Sequence, residues 1–180
     1  MMSGAERERF AIRVMDEVRR WPGVELRQHA SSTEPGRSDG MEFRLYGKQI
    51  GHVHSDCSVH LALTKALKAS LIEQHLAESM PNASTSGWAM LSPLTEDDAH
   101  HAIWLLRLNY VRLRRQRLTP ADAANSELVQ RHEAELGVVS TDVLRLLQRT
   151  QARSKPRPLP SLDDATSTQG TISTNAQHIA

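Results

Sequence analysis

Two histidines one residue apart, His52 and His54, with a third at His60, are the residues of this chain whose type and spacing suit chemistry best. A neutral imidazole accepts a proton, an imidazolium gives one, and either ring nitrogen can bind a metal. Asp56 and Cys57 stand between the pair and the third histidine, so a carboxylate and a thiol are close in sequence. What these groups can do together depends on which strand face each one occupies, because successive side chains point to opposite faces.

Residues 41–53 read as a hairpin. Met41-Glu42-Phe43-Arg44-Leu45 alternates apolar with charged, the pattern of a half-buried strand. Gly47-Lys48 can serve as a two-residue turn, with the glycine supplying the positive φ. That turn places Leu45 opposite Ile50, Phe43 opposite His52 and Met41 opposite His54. Cross-strand partners share a face. The spacing therefore predicts His52 and His54 on the apolar, inward face with Met41, Phe43, Leu45 and Ile50. Glu42 and Arg44 fall on the other face with Gly51 and Val53, as a solvated charge pair. A two-residue turn at Ser55-Asp56 or Asp56-Cys57 then puts His60 on the face away from His52. Only a turn with an odd number of residues makes it a third ligand, so no metal is assigned. Two readings of the pair stay open. They are core histidines hydrogen-bonded to backbone or carboxylate, or they line a pocket between sheet and helices. In such a pocket one imidazole moves a proton and the other orients a ligand. Trp88, after Gly87, is either a core anchor or a plane on which a ligand stacks. Tyr110 and Arg107 are one helical turn apart and can reach the pocket mouth, although Tyr110 also continues an apolar stripe.

The elements that must position these residues follow from periodicity and punctuation. Phe10, Val14, Val18 and Trp21 make one face of a helix over 5–20, stopped by Trp21-Pro22-Gly23. A short extended stretch covers 24–29, and 30–40 is loop. A third strand is expected over 58–62, a helix over 63–78, and a short extended stretch over 87–92. Thr95-Glu96-Asp97-Asp98 starts a helix that ends in arginines near Arg117. Thr119-Pro120 starts another that runs to about Leu136 and is closed by Gly137. A last helix follows Ser140 or Thr141 and reaches about Gln151. Beyond Ala152 the chain is Pro, Ser, Thr and Gln, too polar to offset its ordering entropy, and disorder is expected. The fold class is α+β: a small antiparallel sheet packed by helices, with a helical C-terminal extension and a disordered tail. The organisation is a compact domain over 1–118, the extension over 119–152 and the tail over 153–180.

Composition sets the boundaries. Lys+Arg is 22 and Asp+Glu is 21, a net charge of +1, which disfavours a surface given over to nucleic acid or anionic lipid. The single cysteine excludes an internal disulfide. The longest apolar run, 102–106, is far short of the ~18 residues of a membrane span. Residues 6–9 are all charged, which does not suit a signal peptide. A soluble, cytoplasmic protein is expected, with no membrane partner. Arg107, Arg112, Arg114, Arg115 and Arg117 form a basic run, and a binding module for nucleic acid or a protein partner through 107–117 is the alternative to an enzyme. Few aromatics interleave with the arginines, so nucleic acid is not the expected partner. The apolar residues of the last helices are compatible with covering the domain or with a homo-oligomer.

Taken in order, Glu42-Phe43-Arg44-Leu45, Ile50-Gly51-His52-Val53-His54, Gly87-Trp88 and Leu105-Leu106-Arg107-Leu108-Asn109-Tyr110 resemble the luciferase-type domain family, over about Trp21 to Arg112. That family includes the light-emitting enzyme of fungi and bacterial relatives of unassigned role. There are departures: His60 stands where members often carry an acid, Ala62-Leu63 replaces Pro-Phe, and Met80-Pro81 replaces a His-His pair. The resemblance implies a compact α+β domain. It also implies a small planar organic ligand and a cofactor-independent oxidation or proton transfer, as in the oxidation of a hydroxylated pyrone by oxygen in the fungal members. On that basis His52 and His54 are the catalytic candidates. Phe43, Trp88 and Tyr110 are candidates to line the ligand site, and Glu42 and Arg44 join them because the family pattern repeats them.

Overall fold

A computed structural model describes residues 4–31 and 34–149. Helix α1 spans Gly4–Val18 and is followed by strands β1 (Val24–Ala30), β2 (Ser38–Leu45), β3 (Lys48–Val53) and β4 (Val59–Ala62). Then come α2 (Lys65–Glu73), β5 (Glu78–Ser79), a 3-10 turn (Pro81–Ala83) and β6 (Trp88–Leu91). Four further helices complete the order: α3 (Glu96–Arg115), α4 (Pro120–Asn125), α5 (Glu127–Leu136) and α6 (Thr141–Arg149). The six strands form one antiparallel sheet in the order β1-β2-β3-β4-β6-β5, so the architecture is α+β as the sequence predicts. Among the described residues no helix is long and apolar enough to cross a membrane. The tail expected over 153–180 lies outside the described residues.

The core sits between one sheet face and α3. Phe43, Leu45, Ile50, Val53, Val59, Leu61 and Ala89 are buried from the strands, and Ala102, Leu105, Leu106 and Leu108 from the helix. Each such Val, Leu, Ile or Phe contributes about 1.5–3 kcal/mol by leaving water. Helix α3 is buried on most sides because α1 and α5 pack on it as well as the sheet. Its start is the expected capping box: Thr95 accepts from the Asp98 amide, and the Asp98 carboxylate accepts from the Thr95 amide.

Beyond α3 the single helix expected to Leu136 is two. Ser126 leaves the helical region (φ −78°, ψ 107°), ends α4, and caps α5 by accepting from the Val129 amide. Serine at a break competes for backbone hydrogen bonds in this way. Gly137 closes α5 with φ 64°, as expected. Leu136, Val143 and Leu147 join the main hydrophobic cluster, so α5 and α6 are packed onto the domain. The strand β5 was not legible. The sequence reads as helix through residue 78, whereas α2 stops at Glu73, with His75 at φ 56° just beyond.

His132 on α5 is buried against Trp21 and Tyr110, with ring centroids 5.6 and 4.7 Å away. Burial, then the positive charges of Arg107, Arg114 and Arg131, push its pKa down to about 4. A base whose folded pKa lies below its unfolded value stabilises the fold fully above the unfolded value, and that contribution is lost as pH falls toward the folded one. Stability is therefore expected to fall between about pH 6.5 and pH 4, by on the order of 3 kcal/mol from this residue. Denaturation at a series of pH values should show a flatter profile for His132→Phe; equal slopes would contradict the assignment.

Candidate functional site: a histidine cluster on the outer sheet face

The turn between β2 and β3 is Tyr46-Gly47, one residue earlier than expected, with φ 53° and 74° and with Leu45 paired to Lys48. Positive φ at both central residues is the geometry of a type I′ hairpin turn, whose twist suits the strands it joins. That shift alone would leave His52 on the Phe43 face. A second irregularity changes it: between the pairs Arg44–Gln49 and Phe43–Gly51, Ile50 is an extra residue on β3. Such a bulge exchanges the faces of every residue beyond it. Ile50 and Gly51 both turn toward α3, and His52 pairs with Glu42 instead of Phe43. A Cβ on Gly51 would stand 2.7 Å from Leu106 Cδ2, which identifies that side as the core. His52 and His54 thus lie on the outer face with Glu42 and Arg44, not inward with Phe43. The space between sheet and helices is filled by side chains and is not the histidine site.

The next turn holds three residues, Ser55, Asp56 and Cys57, since the His54 amide donates to Ser58 O and Val53 pairs with Val59. Cys57 supplies the left-handed residue (φ 72°). This is the odd-numbered case, and it sets His60 directly opposite His52. Asp56 is engaged by the Ser58 amide and hydroxyl, at 2.9 and 2.7 Å, and does not reach the histidines.

His52 Nε2 lies 2.9 Å from His54 Nε2 and 3.1 Å from His60 Nδ1, and the last two are 3.0 Å apart. Polar side chains meet their outward nitrogens. His54 Nδ1 meets Asp39 Oδ2 at 2.8 Å, and the Gln49 amide lies 2.9 Å from His52 Nδ1. Ser55 and His54 hydrogen bonds bring the Asp39 pKa down to about 2, so it is a carboxylate at neutral pH. Burial, then the neighbouring histidines, lower His52 to about 2, and burial followed by His54 lowers His60 to about 4. Both rings are neutral near pH 7. His29, from β1, stacks on His52 with centroids 3.8 Å apart and planes 14° apart, and its Nδ1 is 3.7 Å from Glu42 Oε2. Ligand atoms of His29, His52 and His54 all lie within 4.8 Å of one another, so His29 is within reach of any metal these rings would hold.

Trp88 reaches the same face, because it pairs with Ala62 two residues after His60, and its ring is 5.2 Å from that of His52. The loop before it is held by Lys68, whose buried ammonium donates to the carbonyls of Ala83, Ser84 and Ser86. Glu42 accepts from Arg44 at 2.9 Å along the strand. Phe43 is buried on the core side. Tyr110 is also away from the histidines. It is buried beside Trp21 at 5.3 Å and donates to Pro22 O. The structure therefore brings His52, His54, Glu42, Arg44 and Trp88 together and separates Phe43 and Tyr110 from them. His29, Asp39 and Gln49 complete the cluster without having been singled out in the sequence, and His60 joins it through the odd-numbered turn that the sequence left open. The alternation of β1 could have offered His29, and an odd turn would have offered His60.

Residues 47–109 match the family model of the luciferase domain. That segment is similar to the luciferase domain. No curated protein and no solved structure matches the chain. The luciferase-like segment opens at the type I′ turn and closes on α3. It contains His52, His54, His60 and Trp88, and it leaves His29, Asp39 and Glu42 before its first residue. The resemblance read from Trp21 to Arg112 is thus wider than the matched residues.

The arginines of the basic run bond within the domain. Arg107 pairs with Glu17 and Glu135 and lies over the Trp21 ring. Arg112 donates to Asn109 Oδ1 and Ala62 O, Arg114 to Tyr110, Tyr46 and Pro22 O, and Arg115 to Glu133. Arg117 lies over the Tyr46 ring.

Proposed function

We propose that the luciferase-like domain binds a small planar organic molecule against the outer sheet face formed by His29, His52, His54, His60 and Trp88. The observation that carries this reading is a set of flat rings sharing one half-buried face, with Glu42, Arg44 and Asp39 supplying polar groups beside them. Aromatic planes offer a flat ligand stacking worth about 0.5–1.5 kcal/mol per contact beyond area burial. Imidazole nitrogens and the carboxylates give it direction through hydrogen bonds. The luciferase-like match supports the same class of ligand, because the resemblance implies oxidation of a hydroxylated ring. Binding through 107–117 has no comparable support, given the internal partners of those arginines.

Hydroxylated pyrones and planar phenolics are the probes, followed by quenching of tryptophan fluorescence and by calorimetry. Trp88→Ala is expected to weaken binding at least tenfold. Tyr110→Phe, on the far side of the sheet, is expected to leave it unchanged. Equal affinity in Trp88→Ala and the parent chain would remove the reading. Oxygen uptake with a bound probe would then decide whether binding leads to oxidation.

A further inference from the structure

The three converging nitrogens raise a problem that hydrogen bonding does not solve. Each imidazole nitrogen has one in-plane position, which is either an N–H or a lone pair. His52 Nε2, His54 Nε2 and His60 Nδ1 are mutually within 2.9–3.1 Å. Three atoms with two states cannot all be complementary, so at least two lone pairs or two N–H groups must face one another. In a sheet face where His52 is only 4% exposed, that arrangement is costly. One positive ion satisfies all three lone pairs together.

We infer that His52, His54 and His60 form a mononuclear binding site for a divalent first-row transition metal, through His52 Nε2, His54 Nε2 and His60 Nδ1. Nitrogens about 2.1 Å from such an ion and mutually at right angles are about 3.0 Å apart, whereas a tetrahedral set is about 3.4 Å apart. The observed triangle has the spacing of three ligands on one face of an octahedron, which leaves positions on the opposite side for solvent or a substrate. The outer shell has the right chemistry. The Asp39 carboxylate accepts the Nδ1–H of His54 and so directs its Nε2 lone pair into the triangle. Gln49 places its amide Nε2 2.9 Å from His52 Nδ1, and a half rotation of that amide sets its oxygen there to accept Nδ1–H and do the same for the second ligand. His29 stacks on His52 and restrains that ring.

Backbone geometry also points to a built site. The bulge at Ile50 and the three-residue turn at 55–57 act together: without the first, His52 and His54 face the core, and without the second, His60 leaves them. The metal reading concerns the face assigned above to an organic ligand, but it stands on the nitrogens alone. Binding of an organic probe by a chain that takes up no metal would remove only the metal reading, and metal uptake with no affinity for organic probes would remove only the other.

The test uses the full-length chain without a histidine tag, stripped by a chelator and titrated with Co²⁺ and with Zn²⁺. Calorimetry and elemental analysis are expected to give one ion per chain, and Co²⁺ to give weak visible bands typical of octahedral coordination. His54→Gln and His60→Gln should each lose at least tenfold in affinity, and Asp39→Asn about 10–100-fold. His75→Gln, on an exposed residue, should lose nothing. Melting without metal establishes that each variant is folded. If the ligand variants do not fold, nitrogen chemical shifts of the parent's histidines report directly: three imidazoles should shift together and saturate at one equivalent. Absence of stoichiometric uptake by the parent, or full affinity in folded His60→Gln, would overturn the site.

Discussion

Gly51→Ala is expected to destabilise the protein by about 3 kcal/mol or more, at the upper end of what overpacking costs. The added methyl would stand 2.4 Å from the carbonyl oxygen of His60 and 2.7 Å from Leu106 Cδ2. The first of these is backbone of the neighbouring strand, which cannot swing aside as a side chain can. Relief requires β4 to move away from β3, or α3 to lift from the sheet. Either movement disturbs the His52–His60 pair, which is held by the same ladder. Histidine alignment and stability should therefore decline together. Gly47 provides the comparison. It has φ 74° and open space around its Cβ direction, so Gly47→Ala should cost only the backbone penalty of about 1–2 kcal/mol. Denaturant titration of both variants separates the two mechanisms. A Gly51→Ala protein within 1 kcal/mol of the parent would mean that α3 does not press on β3 as described.

Asn109→Ala should cost about 3–5 kcal/mol, although the residue touches no histidine of the cluster. Its amide donates to Ile50 O at 2.6 Å and to Ala62 O at 3.0 Å, and its Oδ1 accepts from Arg112 Nε at 2.7 Å. Ile50 O is the carbonyl of the bulge, so this side chain satisfies the backbone group that the irregular ladder leaves over. Burial lowers the Arg112 pKa to about 10, which still leaves a guanidinium at neutral pH. Removing the Asn109 oxygen takes a hydrogen-bond partner from that buried cation. Replacing both residues with apolar ones of similar size, Asn109→Leu with Arg112→Met, should cost less than the sum of the single changes. A coupling of at least about 1 kcal/mol in the double-mutant cycle is expected. Simple additivity would show that the two side chains do not act as one unit.

The helices were legible because their signals are local. Thr95 with Asp98, Thr119 with Pro120, and Gly137 each act within one turn of the element they start or stop. The hairpin was legible as a hairpin, but its faces were not. Sequence alternation gives parity only up to the first bulge, and the bulge at Ile50 depends on Leu106 and Asn109, both more than fifty residues away in the chain. Burial of Ile50 and the close fit of Gly51 under α3 outweigh the alternation that would have placed Phe43 opposite His52. For the same reason the family-like motif of residues 50–54 could be recognised while its orientation was misread. Phe43 is a lining candidate through the register of a Gly47-Lys48 turn, and Tyr110 through its spacing to Arg107 and the family-like motif, yet both serve the core. Asp39 and His29 come from segments read as loop and as a short extended stretch, and only the pairing of β1 with β2 brings His29 to the cluster. Asn109 and Arg112 carried no local signal of their tertiary role.

The β3–β4 hairpin has a consequence for the order in which the molecule is made. Three of the clustered histidines fall between residues 52 and 60 and meet across a three-residue turn. Closing so short a loop has a small entropic cost, and isolated hairpins form in about 1–10 μs. The α3 helix that buries the opposite face of this hairpin begins at Glu96, and in synthesis it follows β4, α2, β5 and β6. The nascent chain therefore holds the histidine hairpin before the helix that stabilises it exists. Until α3 docks, the apolar side with Ile50, Val53 and Leu61 is open to water, and the polar side is already close to its final pattern. The delay between translating His60 and docking Leu106 is thus an interval in which apolar surface and unpaired strand edges are open to aggregation.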